Sequence, residues 1–316
     1  MKKFAIIIVI VGFILAGCSS NEASTKKKSD LTIYTSIYPI QYLIEQIGGD
    51  TVNVKSVYPA GVDAHTYEPT SKDITAMAKS DAFIYMGAGM EGFAESAADA
   101  LSSEDITQVE LGKQDSLFHS NDEEHNHADE SSHDHSHDGH NHGDHDPHVW
   151  LDPLRMVELA EMLKEELIQL NPDQQQAYTE NFNQLEERLI NLDNDFKETL
   201  NKKENKHILV SHAAYGYWEE RYGLEQISIN GLSSSSEPSQ KELTKIIDQA
   251  NQFQLDYVVF EQNSSNQVSE IIQDHIHAEA VTIHNLSVLT EKDISNNEDY
   301  FSIMKQNLQV LDKITK

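Results

Sequence analysis

Apolar positions along this chain recur with two periods. Short β-branched and aromatic runs at 31–35, 52–57 and 81–86 predict strands, with helices over 38–47 and 89–101. Beyond residue 150, Met156, Leu159, Ala160, Leu163, Leu167 and Leu170 keep helical spacing. Pro172 suits the first position of a further helix, with Asn171 as its cap. In that helix Tyr178, Phe182, Leu185, Leu189, Leu192, Phe196 and Leu200 make one narrow apolar stripe. A helix of about 30 residues is roughly 45 Å long, enough to join two lobes. Strands are expected again at 208–211, 226–229, 256–260 and 280–283, and the last helix carries Phe301, Met304, Leu308 and Leu311 on one face. Alternation of this kind predicts an α/β fold of parallel sheets flanked by helices.

A faint internal repeat divides that fold in two. Glu68-Pro69-Thr70-Ser71-Lys72-Asp73-Ile74 resembles Glu237-Pro238-Ser239-Gln240-Lys241-Glu242-Leu243. Thr70 and Ser239 each suit a helix cap, with Asp73 and Glu242 three residues on to complete a capping box. Each segment leads into an amphipathic helix and an apolar strand. The expectation is therefore two pseudo-symmetric lobes joined by one long linking helix. Ligands of such sheets bind beyond the carboxyl ends of the strands, which places a site in the cleft between lobes.

Composition changes the picture at two places. Nine of the 16 histidines lie between His119 and His145, interleaved with acids, and the formal net charge is −30 with a mean hydropathy of −0.53. The stretch from Asn121 to His145 has too little apolar surface to fold and is expected to be a mobile loop. Imidazole is the commonest metal ligand near neutral pH. His125, His127, His133, His135, His137, His140, His142 and His145 are thus expected to hold a divalent cation weakly. An acidic chain disfavours nucleic acid and attracts cations.

The second place is the N-terminus. Lys2 and Lys3 precede an apolar run from Phe4 to Leu15, followed by Leu15-Ala16-Gly17-Cys18. This is the pattern of a secretory signal, too short to span a bilayer stably, and its end looks like a bacterial lipobox in which Cys18 is lipidated. Cys18 is the only cysteine, so no intramolecular disulfide or thiolate metal cage is possible. The polar stretch to Asp30 reads as a tether.

Three other histidines fit the cleft. His65 lies in a loop after the second strand, His148 in Asp146-Pro147-His148-Val149-Trp150-Leu151-Asp152-Pro153, and His212 just after a strand in Ser211-His212-Ala213-Ala214-Tyr215-Gly216-Tyr217. One such histidine is more often a hydrogen-bonded or surface residue. Three in strand-to-helix loops, beside a histidine-rich stretch, point to a metal. Three neutral imidazoles suit zinc, whereas manganese prefers more oxygen. His207, His275, His277 and His284 lack this setting, and His275 and His277 read as surface residues.

These motifs, with Gly61-Val62-Asp63-Ala64-His65-Thr66-Tyr67-Glu68-Pro69, resemble the zinc-specific solute-binding lipoproteins of bacterial metal ABC importers, the zinc/manganese-binding family with a rigid linking helix. The resemblance runs from Leu31 to the C-terminal helix. It implies zinc ligands at His65 and His148 from the N-terminal lobe and at His212 from the C-terminal lobe. It also implies a function: capture of zinc outside the cytoplasm and delivery to an ABC permease, by a monomer held to the outer face of the bacterial cytoplasmic membrane by lipid alone. The implied organisation is a signal peptide over 1–17, lipidated Cys18 and tether over 18–30, a first lobe over 31–170 that includes the disordered loop 119–145, a linking helix over 171–203 and a second lobe over 204–316.

The chain departs from the family at the fourth ligand. Ser287 occupies the family's acidic position, and a neutral serine is a poor zinc ligand. The fourth position is then expected to be water or Glu261, whose other reading is a capping or salt-bridged acid. Rival readings are a manganese importer subunit, disfavoured by His212, and a zinc hydrolase, for which no His-Glu-x-x-His helix is present. An adhesin would need an adhesive module that the sequence does not offer. The expectation is a carrier and not an enzyme.

Overall fold

The computed structural model describes residues 30–119, 145–233, 236–263 and 267–316. The signal segment, Cys18 and the histidines from His125 to His142 lie outside them. From Leu31 onward the chain builds two four-stranded parallel sheets. The first contains β1 (Leu31–Thr35), β2 (Val52–Ser56), β3 (Ala82–Tyr85) and β4 (Thr107–Glu110) in the order β2-β1-β3-β4. The second contains β5 (His207–Val210), β6 (Glu225–Ser228), β7 (Tyr257–Glu261) and β8 (Glu279–Ile283) in the order β6-β5-β7-β8. The two windings are the same, as the sequence repeat predicts. In each, the chain switches sides of the first strand, so the loops beyond β1 and β5 diverge and leave a crevice.

Around the first sheet run α1 (Tyr38–Gly48), α2 (Ser71–Met77) and α3 (Ala94–Leu101), followed by α4 (Pro153–Leu170) and the long α5 (Gln175–Leu200). The second sheet carries α6 (Gly216–Tyr222), α7 (Gln240–Gln252), α8 (Gln267–Ile276), α9 (Glu291–Ser295) and α10 (Tyr300–Ile314). Both predicted capping boxes form: Thr70 accepts from the Asp73 amide and Ser239 from the Glu242 amide. For α2, only seven residues long, such a cap supplies stability that propensity cannot, because short helices are marginal alone.

Two helix starts and one strand differ most from the expectation. Helix α3 starts at Ala94 and not near Gly89, because Gly87, Ala88 and Gly89 take φ of 72°, 52° and 79°, which no helix accommodates. Helix α5 has 26 residues; Pro172–Gln174 is a separate 3-10 turn, and the Asn171 side chain does not cap it. Strand β4 was not expected, since its sequence Thr-Gln-Val-Glu is polar and partly exposed, as an edge position allows.

The stripe on α5 does what its spacing predicts. All seven residues from Tyr178 to Leu200 are buried, against α1, α4 and α10. Burying each large side chain contributes about 1.5–3 kcal/mol. The core around α5 is continuous from Ile33 of β1 to Val210 of β5. A smaller cluster with Leu209, Ile227, Ile246, Val258 and Ile272 sits under α7 and α8. Polar stitches reinforce the continuity. Buried Arg155 of α4 pairs with Asp152 at 2.7 Å and with Glu220 of α6 at 3.0 Å, and Arg221 of α6 reaches the same Asp152 at 2.6 Å. No helix among the described residues is long and apolar enough to cross a membrane.

Candidate metal centre

His65 follows β2 and His212 follows β5, each in a loop at the carboxyl end of a parallel strand, and His148 opens the 3-10 turn Val149–Leu151 that leads into α4. The structure brings the three together. Ring centroids lie 5.5 Å apart for His65 and His148, 5.4 Å for His65 and His212, and 4.9 Å for His148 and His212. One ligand nitrogen of each falls within 4.8 Å of the others, and no other such group of His, Cys, Asp and Glu occurs among the described residues. His148 and His212 are buried, whereas His65 is partly exposed.

Each ring is held differently. The loop of His65 is closed by Asp63, whose Oδ1 accepts from the His65 amide at 2.9 Å and the Thr66 amide at 3.1 Å. The Tyr58 hydroxyl donates to the Ala64 carbonyl at 2.7 Å. For His148 the support is more direct: Asp146 Oδ1 takes the backbone amide at 3.0 Å and meets Nδ1 at 2.7 Å. The Asp146 carbonyl is itself pinned by the Tyr217 hydroxyl at 2.5 Å. Gly216 permits this approach, since a Cβ there would lie 2.8 Å from Asp146 Oδ2. Next along the segment, Trp150 Nε1 donates to the Asn285 carbonyl at 2.7 Å. The His148 segment is thus fastened to residues of the second half of the chain. His148 Nε2 is buried with no hydrogen-bond partner. An imidazole nitrogen in that condition suits a metal, because a buried polar atom without a partner is otherwise costly.

His212 sits between two oxygens. Nδ1 meets Glu261 Oε1 at 2.8 Å, and Nε2 meets the Leu232 carbonyl at 2.8 Å. Both partners accept, so both ring nitrogens donate. Burial by itself would lower the pKa of His212, but the Glu261 carboxylate outweighs burial by charge and hydrogen bond, and with the Leu232 carbonyl it raises the value to about 9. Burial would likewise raise Glu261, and the His212 charge reverses this to keep the carboxyl low. His65 goes the other way. Burial, and then the neighbouring His148 and His212, push it down to about 4.

Glu261, considered above as a fourth ligand, stands behind His212 and outside the group of mutually close donor atoms. Glu261 Oε1 forms an ion pair with His212 Nδ1 at 2.8 Å. A carboxylate on the far nitrogen of a metal-binding imidazole fixes its orientation and raises its basicity. Ser287 is otherwise engaged: its hydroxyl donates to Asn285 Oδ1 at 2.8 Å and its carbonyl accepts from the Tyr38 amide of α1 at 2.8 Å. His145 lines a cavity of about 470 Å³ that opens on His65, together with Glu95, Glu110 and Leu232. His207 pairs with Glu225 at 2.9 Å, away from the cluster. His284 is buried, with Nε2 on Asp293 at 3.0 Å and Nδ1 accepting from the Leu286 amide at 2.9 Å. Sequence reasoning missed Leu232, since a main-chain oxygen leaves no mark in a sequence. It also missed the clamp from Tyr217 to Asp146, although Tyr217 lies in the His212 motif.

Comparison with known proteins gives a consistent set of similarities. A family model described as zinc-uptake complex component A, periplasmic, matches residues 33–314. The zinc-binding lipoprotein AdcA of Streptococcus pneumoniae is 31% identical over 319 residues, covering 100% of this chain and 61% of that protein. The chain therefore spans less than two thirds of the length of that relative. The high-affinity zinc uptake system protein ZnuA of Bacillus subtilis is 31% identical over 315 residues, covering 98% of this chain and 97% of the relative. Among solved structures, the Zn(II)-bound ZnuA-like domain of Streptococcus pneumoniae AdcA superposes with a TM-score of 0.72 at 28% identity, covering 91% of this chain and 99% of that one.

Proposed function

The chain belongs to the periplasmic zinc-uptake complex component A family, and from that membership we propose that it captures zinc outside the cytoplasm and delivers it to the permease of an ABC importer. The observation that carries this reading is the cluster of His65, His148 and His212, with one nitrogen of each within 4.8 Å of the others. Three imidazoles on a divalent ion are a zinc-type donor set. Zinc is the cargo here and not a resident cofactor, and the protein acts as a carrier and not as an enzyme. In this reading Glu261 and Asp146 orient the rings, and water completes the fourth position. Binding releases protons, because each ligand nitrogen must be free of its hydrogen.

The rest of the organisation is proposed with it. Residues 1–17 are removed as a signal peptide, Cys18 carries lipid, and 18–30 tether the protein to the outer face of the cytoplasmic membrane. A single acyl chain binds membranes only marginally, so a stable tether needs a second membrane-binding signal. Lobes over 31–170 and 204–316 flank the linking helix over 171–203, and the histidine-rich stretch over 119–145 gathers zinc weakly ahead of the tight site. The experiment is zinc stoichiometry and affinity by chelator competition, with and without residues 121–145, and for His212→Ala. One tight zinc that survives removal of 121–145 but not His212→Ala is the expected result. Tight binding that disappears with 121–145 and ignores His212 would sink the proposal.

A further inference from the structure

His148 and His212 are built alike up to a point. Each has a carboxylate oxygen on Nδ1, at 2.7 Å from Asp146 and 2.8 Å from Glu261. They differ at the other nitrogen. Nε2 of His148 is buried without a partner, whereas Nε2 of His212 is 2.8 Å from the carbonyl of Leu232. A nitrogen that donates a hydrogen to a carbonyl cannot offer a lone pair to a metal.

We propose that the Leu232 carbonyl and zinc are mutually exclusive partners of His212 Nε2, so that Leu232 sets zinc affinity through its main chain. This inference rests on zinc being the cargo of the three-histidine centre. The exchange balances simply. The Nε2–H···O bond breaks, the proton passes to water, the nitrogen lone pair binds zinc, and a water molecule takes the place of the N–H on the carbonyl. The reverse exchange favours release, since the carbonyl is at hand to take Nε2 as the metal leaves.

The local structure suits such an exchange. The Ala213 amide donates to the Gly231 carbonyl at 3.2 Å, tying the turn to the residue after His212. The Gly231 amide donates to Ser236 Oγ at 3.0 Å, and that hydroxyl donates to the Ser233 carbonyl at 2.8 Å. A Cβ on Gly231 would lie 2.8 Å from Ser236 Oγ, so only glycine allows this closure without a shift. The Leu232 side chain is 40% exposed and lines the cavity that opens on His65.

The test is the zinc affinity of Ser236→Ala, which removes the bonds its hydroxyl makes to the Gly231 amide and the Ser233 carbonyl and replaces none of the three histidines. Weakening the competitor should tighten zinc by about three- to tenfold, the scale of one hydrogen bond. Leu232→Ala keeps the carbonyl and should stay within about twofold of the unaltered protein, below the scale of one hydrogen bond. Unchanged or weaker binding by Ser236→Ala overturns the proposal, as does an effect of Leu232→Ala as large as that of Ser236→Ala. A second measurement needs no variant. Leucine carbonyls labelled with ¹³C and serine amides with ¹⁵N isolate three peptide bonds, Leu101–Ser102, Leu232–Ser233 and Leu286–Ser287. Zinc should shift the Leu232 carbonyl, and a resonance that does not respond overturns the exchange. If the unaltered protein binds no tight zinc, or His212→Ala keeps it, the functional reading itself fails, which is a different result.

Discussion

His148 and His212 reach the same cluster with the same kind of help, but the help comes from different distances along the chain. The carboxylate that steadies His148 is two residues away, on Asp146, and belongs to one short segment. The carboxylate that steadies His212 is 49 residues away, on Glu261 at the end of a neighbouring parallel strand. A local pair is fixed as soon as its turn forms. A pair across a sheet exists only once β5 and β7 are in register, so the His212 arm is assembled by the fold as a whole. The arms also differ at Nε2, unpartnered in His148 and occupied in His212.

Removing each imidazole tests whether the arms are equal in the end. His148→Ala and His212→Ala should each weaken zinc by more than the roughly 10–100-fold that loss of an orienting partner costs. Chelator competition gives both values, and a His148→Ala protein that retains tight zinc would break the comparison. Removing the carboxylates separates orientation from ligation. Asp146→Asn and Glu261→Gln should each cost about 10–100-fold in zinc affinity, with Glu261→Gln the larger because no backbone contact backs up its grip on the ring. X-ray absorption of the zinc-loaded Glu261→Gln protein should show an unchanged coordination shell. A lost oxygen would make Glu261 a ligand.

Gly216→Ala probes the local arm alone. Its Cβ would meet Asp146 Oδ2 at 2.8 Å, and overpacking of this kind costs about 1–3 kcal/mol, measurable by urea unfolding. Zinc affinity should fall with it through His148. An equally stable and equally tight variant would show that Asp146 does not need its present place.

The smallest effect concerns the loop after β8, the strand beside the one that carries Glu261. Burial holds the pKa of His284 below its ordinary 6.5, against the pull of Asp293. The unfolded chain then binds the extra proton first. The stability from neutral His284 is present above pH 6.5 and declines as pH falls below it toward the lowered folded value. His65 shares this direction, so the measurement is the difference in pH slope between the unaltered protein and His284→Gln. A variant with the same slope between pH 6.5 and pH 5 would remove His284 from this account, the upper limit being its ordinary value.

Much of the fold was legible in the sequence because it depends on local spacing. The seven-residue stripe from Tyr178 to Leu200 needed only the helical period to be read, and the boxes at Thr70 and Ser239 only a three-residue spacing. The polar edge strand β4 was not legible, since its residues have little apolar surface to alternate. Nor was the helix start at Ala94, which depends on three successive positive φ values from Gly87 to Gly89.

The sequence by itself determined the donor chemistry: three imidazoles after strands, one with its acid two residues before it, in an acidic chain able to attract cations. Those properties belong to residue type and short spacing. Only the tertiary structure decided which oxygens stand behind and in front of His212, and that Tyr217 pins the segment carrying His148. Each of these is a contact between residues brought together by sheet register or loop closure, or it involves a main-chain atom that every residue shares. Side-chain pattern carries no record of either.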